Sequence, residues 1–127
     1  MVWCTGAELV VAVGRAGGLG TLGAGSMYPD ELQAEIARVK AVWDGPFSVN
    51  VPLLYPAVEE HMETIARERV PVVFTSAGSP RKWTDHLKAA GCTVIHVVSS
   101  AAFARKAEAA GVDAVVAEGF EAGGHNG

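Results

Sequence analysis

The sequence predicts an α/β fold built on parallel strands, and three observations point to it. Helical stripes alternate with short apolar runs along the 127 residues. The runs are near-continuous rather than polar/apolar alternators, which suits strands covered on both faces. Their starts, near residues 18, 47, 70, 93 and 113, are spaced as βα units are.

The elements follow in order. Ala7 to Ala16 carries Leu9, Val10 and Val13 on one helical face, and Gly17-Gly18 ends it. Gly18 to Ala24 reads as a short, glycine-rich strand. Pro29 opens the next helix with Asp30 and Glu31 in its first turn, where the helix dipole favours acids. Leu32, Ile36, Val39 and Trp43 form its apolar stripe, and Gly45-Pro46 stops it. Phe47 to Val51 is a strand. Val58, Met62 and Ile65 mark a helix from Pro56 to Glu68, and Val70 to Phe74 is a strand with its proline near the start. Ser79-Pro80 supplies an N-cap and a first-turn proline for a helix bearing Trp83, Leu87 and Ala90. Thr93 to Val98 is a strand. Ser99 or Ser100 caps the helix of Phe103, Ala107 and Ala110, and Asp113 to Ala117 is the last strand. Two junctions, Ala89-Ala90-Gly91 and Ala109-Ala110-Gly111, lie 20 residues apart, each a helix end with a glycine able to take positive φ.

Five strands suit a doubly wound sheet or an arc of an eight-stranded barrel, and periodicity does not separate them. A chain that starts in the lead-in to a helix and ends in a glycine loop after a strand points to the barrel.

Composition excludes several classes. The length allows one domain, residues 1–127. A net charge of -4 argues against a nucleic-acid groove. No apolar run approaches the ~18–20 residues that cross a bilayer. Cys4 and Cys92 fit no zinc or redox spacing and read as reduced thiols in a cytoplasmic setting. No two histidines have zinc-ligand spacing, so no metal is expected.

Gly18-Leu19-Gly20-Thr21-Leu22-Gly23 matches the dinucleotide pattern, but a helix precedes it, whereas that motif needs a strand before it and a helix opening within it. The segment 117–127, Ala-Glu-Gly-Phe-Glu-Ala-Gly-Gly-His-Asn-Gly, is more informative. It follows a strand at the edge where α/β ligands bind, and its glycines let backbone approach a flat ligand. His125 stands among them, either a proton-handling group or a solvated loop histidine. Asn50 is polar inside an apolar strand, so its amide needs a partner, either ligand or backbone. Thr75 to Pro80 either lines a ligand or only begins a helix. His61 and His86 are expected to face water, and His96 to be packed and hydrogen-bonded.

Taken together, Ala16-Gly17-Gly18-Leu19-Gly20, Pro46-Phe47-Ser48-Val49-Asn50-Val51, Thr75-Ser76-Ala77-Gly78-Ser79-Pro80 and Ala117-Glu118-Gly119 through Glu121-Ala122-Gly123-Gly124-His125 resemble the nitronate monooxygenase family, formerly 2-nitropropane dioxygenase. The flavin-dependent enoyl-ACP reductase II is its relative. The resemblance implies an FMN-binding (β/α)8 TIM barrel, here partial, lacking the first strand and the last two βα units, which in the family hold the FMN phosphate. It implies a catalytic His125 over the flavin, Asn50 against the ring, a pocket floor of Glu118, Gly123 and Gly124, and Met1 in a turn that touches the flavin.

Three functions follow. One is oxidation of a small nitronate or nitroalkane with O2 to a carbonyl compound and nitrite. The second is flavin-dependent enoyl-thioester reduction. The third is a non-catalytic α/β module that associates through open sheet edges. No membrane partner is expected, and homo-oligomerisation is left open.

Overall fold

The computed structural model describes residues 4–124. Helices and strands alternate: α1 (Ala7–Arg15), β1 (Thr21–Gly23), α2 (Pro29–Val42), β2 (Ser48–Pro52), α3 (Val58–Arg67), β3 (Val72–Ser76), α4 (Thr84–Ala89), β4 (Thr93–Val98), α5 (Ala101–Ala109) and β5 (Ala114–Ala117). Short 3-10 turns at Ala24–Ser26 and Pro80–Lys82 precede α2 and α4. The five strands pair in chain order, each parallel to the next.

That order decides between the two architectures. Strand–helix–strand crossovers are right-handed. When every crossover advances in the same direction, all the helices fall on one face of the sheet. A doubly wound sheet reverses direction to cover both faces. The chain therefore forms an arc of a (β/α)8 barrel, helices outside and a concave face within.

The strand alternation sorts residues between the two sides. Val49, Val51, Val73 and Val94 face the helices and are fully buried with Leu32, Ile36, Val39, Met62, Ile65 and Leu87. Asn50, Pro52, Phe74, Ser76, Ile95 and Val97 occupy the concave side and are half-buried. The apolar runs predicted strands covered on both faces; among the described residues only the helix-facing side is closed. All four residues of β5 are exposed.

Helix α1 differs from its sequence reading. Ala7, Val10, Val11 and Gly14 form its buried face, and Leu9 is 48% exposed. Small residues explain the choice. A Cβ at Gly14 would lie 2.8 Å from the Trp43 indole at the end of α2. The lead-in to β1 crosses just as closely, because a Cβ at Gly20 would overlap the Val10 carbonyl. Helix α2 matches its predicted stripe, and Glu31 accepts the Tyr28 N–H at 2.8 Å across its first turn.

Helices α1, α3, α4 and α5 share one ending. The residue after the cap takes a left-handed conformation, and the next N–H reaches back five residues: Gly18 to Val13, Val70 to Ile65, Cys92 to Leu87 and Val112 to Ala107, at 3.0–3.4 Å. This double turn satisfies terminal carbonyls and turns the chain toward its strand. The left-handed residues are Gly17 (φ 89°), Gly91 (φ 88°) and Gly111 (φ 88°), but Arg69 (φ 52°) in the α3 ending. The Arg69 turn also moves the start of β3 from Val70 to Val72. At α5 the cap is Ser100, whose hydroxyl accepts the Phe103 N–H at 3.2 Å.

The joints predict opposite responses. Nothing lies within 4 Å of a Cβ at Gly91, so Gly91→Ala carries only left-handed strain, about 1–2 kcal/mol of lost stability. Arg69→Gly removes the same strain and should raise the denaturation midpoint. Gly20→Ala forces β1 off α1 and should cost about 1–3 kcal/mol. Urea unfolding of the three variants measures each effect.

Candidate functional site

A cleft of about 1250 Å³ opens on the C-terminal ends of the strands, the edge where α/β barrels bind ligands. Asn50 lines it from β2. Its strand pairs Gly23 with Asn50 on one side and Asn50 with Phe74 on the other, so the amide sits in the middle of the arc. Period-two alternation puts it on the concave side between buried Val49 and Val51. Its Oδ1 accepts a long 3.5 Å bond from the Ser76 hydroxyl, and its amide hydrogens have no protein acceptor among the described residues.

Glu118, Gly123 and Gly124 line the same cleft. The Glu118 N–H extends the sheet by donating to Val98 O at 2.9 Å, and a turn from Ala122 N to Gly119 O at 3.1 Å brings the chain back over the rim. Gly124 takes φ 82°. Among the described residues, a Cβ at Gly123 or Gly124 would meet no protein atom within 4 Å, whereas one at Gly25 would meet the Pro52 ring at 2.8 Å. Gly25 is thus held to glycine by packing, while no described residue crowds Gly123 or Gly124. Met1 and His125 lie outside the described residues. The structure therefore brings four of the six sequence-selected positions to one cleft.

The β3–α4 loop forms another wall. Ser76, Ala77, Gly78, Ser79, Pro80 and Arg81 all line the cleft. The loop is pinned at its start, where the Leu53 N–H donates to Ser76 O at 2.7 Å, and at its end, where Thr84 Oγ1 donates to Pro80 O at 2.8 Å. Between the pins, Ala77 holds φ 51°, an uncommon conformation for a residue with a Cβ. Ser79 makes no side-chain cap, so its predicted capping role is not used. The segment thus lines the cleft and leads into the Pro80–Lys82 turn ahead of α4.

The histidines separate clearly. His96 is buried and hydrogen-bonded, as expected, with Nδ1 2.7 Å from Thr75 Oγ1, and it also lines the cleft. His86 is exposed, edge-on to Trp83. His61 corrects the sequence reading, because it is fully buried rather than solvent-facing. Its ring stacks on Tyr55 at 4.8 Å, Nε2 lies 3.1 Å from Ala24 O, and Nδ1 has no partner among the described residues. Tyr55 in turn donates its hydroxyl to Met27 O at 2.9 Å. The two rings clamp the loop that carries Gly25. The signal was present in the sequence: Val58, His61, Met62 and Ile65 fall at i, i+3, i+4 and i+7.

Burial holds His61 and His96 below the ordinary imidazole range, opposed in part by the carbonyls of Ala24 and Met27 for His61 and of Gly78 and Thr75 for His96. Burial likewise pushes the Cys92 thiol up, while Cys4 is exposed. Among the described residues no His, Cys, Asp and Glu cluster could hold a metal, and no helix is long and apolar enough to cross a membrane.

A family model described as nitronate monooxygenase matches residues 1–68 and 54–127. The chain is 42% identical over 127 residues to a (3aS,4S,5R,7aS)-5-hydroxy-7a-methyl-1-oxo-octahydro-1H-indene-4-carboxyl-CoA dehydrogenase of Mycobacterium tuberculosis, covering 100% of this chain and 36% of that protein. A structure of FabK from Thermotoga maritima superposes with a TM-score of 0.97 at 45% identity, covering 100% of this chain and 41% of that one. A nitroalkane oxidase structure from Streptomyces ansochromogenes superposes with a TM-score of 0.89 at 31% identity, covering 97% of this chain and 45% of that one. The chain thus spans less than half the length of these relatives.

The buried imidazoles fix the sign of a pH effect. Their folded pKa values lie below the unfolded value of about 6.5, so the unfolded chain takes up protons first as pH falls. Stability is full above that value and declines below it. The unfolding free energy should drop between pH 7 and pH 5, and the drop should shrink in His61→Gln. An unchanged slope in that variant would remove His61 as a source.

Proposed function

The chain belongs to the nitronate monooxygenase family, and from that premise we propose that residues 1–127 are the FMN-binding rim of a flavin-dependent oxidoreductase acting on a small substrate. The observation that carries the reading is the convergence of Asn50, Glu118, Gly123 and Gly124 on one cleft. The residues fit a flavin. A planar ring needs close, side-chain-free backbone, which Gly123 and Gly124 offer, and a hydrogen-bond donor at its polar edge, which the Asn50 amide hydrogens, without an acceptor among the described residues, offer.

When bound, FMN would supply the one- and two-electron chemistry that no side chain here provides. The protein's part is positioning and proton handling. Asn50 would hold the ring edge, and Glu118 would fix the rim loop at the pocket floor. His125 would stabilise a nitronate anion by hydrogen bonding, or take the α-proton from a neutral nitroalkane. Met1 would contact the ring from the first turn. The products on this reading are a carbonyl compound and nitrite, with O2 as co-substrate.

A specific observation favours a second substrate. The relative at 42% identity is named for a coenzyme A thioester, whereas the nitroalkane oxidase stands at 31%. On this reading the same His125 and Asn50 serve thioester oxidation or reduction over the same ring.

Oxygen uptake with propyl-2-nitronate against turnover of an acyl-CoA separates the substrates. His125→Ala should lower kcat/KM by about 100-fold or more with the true substrate, and unchanged turnover would remove His125 from the mechanism. Asn50→Ala should weaken FMN retention by about tenfold, read by flavin fluorescence.

A further inference from the structure

We propose that Arg81 and Lys106 form a phosphate-binding subsite for the nucleotide end of a coenzyme A thioester. The proposal rests on the thioester reading above and locates the part of the substrate that does not react.

The cleft reaches beyond the residues proposed to hold the flavin. Its lining includes Asn50 and Gly123 together with Arg81 and Lys106. A second, elongated ligand lying over the ring would leave between the β3–α4 loop and helix α5.

Charge at that exit is unbalanced in a chain whose net charge is -4. Arg38, Lys40, Arg67, Lys82 and Lys88 each pair with a carboxylate. Arg81 and Lys106, like Arg15, Arg69 and Arg105, pair with none among the described residues, but only these two line the cleft. Glu118, the one acidic side chain on the cleft among the described residues, makes no ion pair with either. Lys106 instead lies 5.3 Å from the centre of the Phe103 ring, so its ammonium is placed without being neutralised.

The surrounding groups suit a phosphate ester on an apolar arm. Ser79 and Ser99 line the same cleft as the two cations. The backbone N–H groups of Ala77, Gly78 and Ser79 have no protein acceptor among the described residues. Phe103, 51% exposed, offers a ring face for a purine or the flank of a pantetheine chain. A guanidinium is the side chain best matched to two phosphate oxygens at once, with lysine as a point charge beside it. A nitronate has no group that reaches this far.

Calorimetric titration with coenzyme A itself tests the subsite. Arg81→Ala and Lys106→Ala should each weaken binding by about tenfold, Arg81→Lys with Lys106→Arg should restore most of it, and added salt should weaken the wild type more than the alanine pair. A short thioester, such as an N-acetylcysteamine ester, should show the same KM in all variants. Equal coenzyme A affinity in wild type and variants, or no binding to the wild type, would overturn the subsite. Binding that depends on both cations without turnover of any acyl-CoA would keep the subsite and reject the thioester as the reacting substrate. Turnover of acyl-CoA that ignores both substitutions would do the reverse. Equal losses with acyl-CoA and with the short thioester would show a fold defect and count against the proposal.

Discussion

The right-handed crossover, taken five strands running in one direction, is the constraint on which the rest of the molecule depends. It sends every helix to the convex side of the sheet. It leaves the concave side without helical cover, and it lines up the strand ends so that loops from distant parts of the chain meet at one rim. Asn50, Ser76 and Glu118 share a cleft for this reason, although 68 residues separate the first from the last. No local motif could have brought them together.

The helix–strand joint makes that repetition cheap to build. Four of the five described helices end in the same double turn, with one left-handed residue and a five-residue backbone return. The turn satisfies the orphan carbonyls at a helix end while reversing the chain within two residues. Asp113 adds a second tie at the last joint, accepting Val94 N–H at 2.8 Å and the Lys88 ammonium at 3.0 Å. Those contacts hold its carboxyl below the usual range and set β5 in register with β4.

Much of this was legible because glycine and apolar periodicity are local signals. The α2 stripe, the paired joints at Gly91 and Gly111 and the strand order in sequence all follow from patterns a few residues long. The barrel arc was not legible from periodicity, because the direction of each crossover leaves no trace in hydrophobicity. The Leu9 face failed for a related reason. Hydrophobic weight favoured leucine, whereas close packing against Trp43 selected Ala7 and Gly14, whose value lies in what they lack. His61 was misread because imidazole was scored as polar, while its position on the Val58–Ile65 stripe was the stronger signal. At the site, Asn50 and the glycine loop were legible as anomalies, an amide among valines and glycines after a strand. Arg81 and Lys106 were not, since an unpaired cation is defined by what fails to lie near it in space.

The alternation of β2 has a consequence for how such a protein changes over time. Asn50 and Pro52 line the cleft, and Val49 and Val51 look toward the helices. Adjacent codons therefore answer to unrelated demands, one to ligand chemistry and the next to the cohesion of the barrel wall. A lineage can exchange what its rim recognises one alternate position at a time, and the scaffold underneath registers almost none of it.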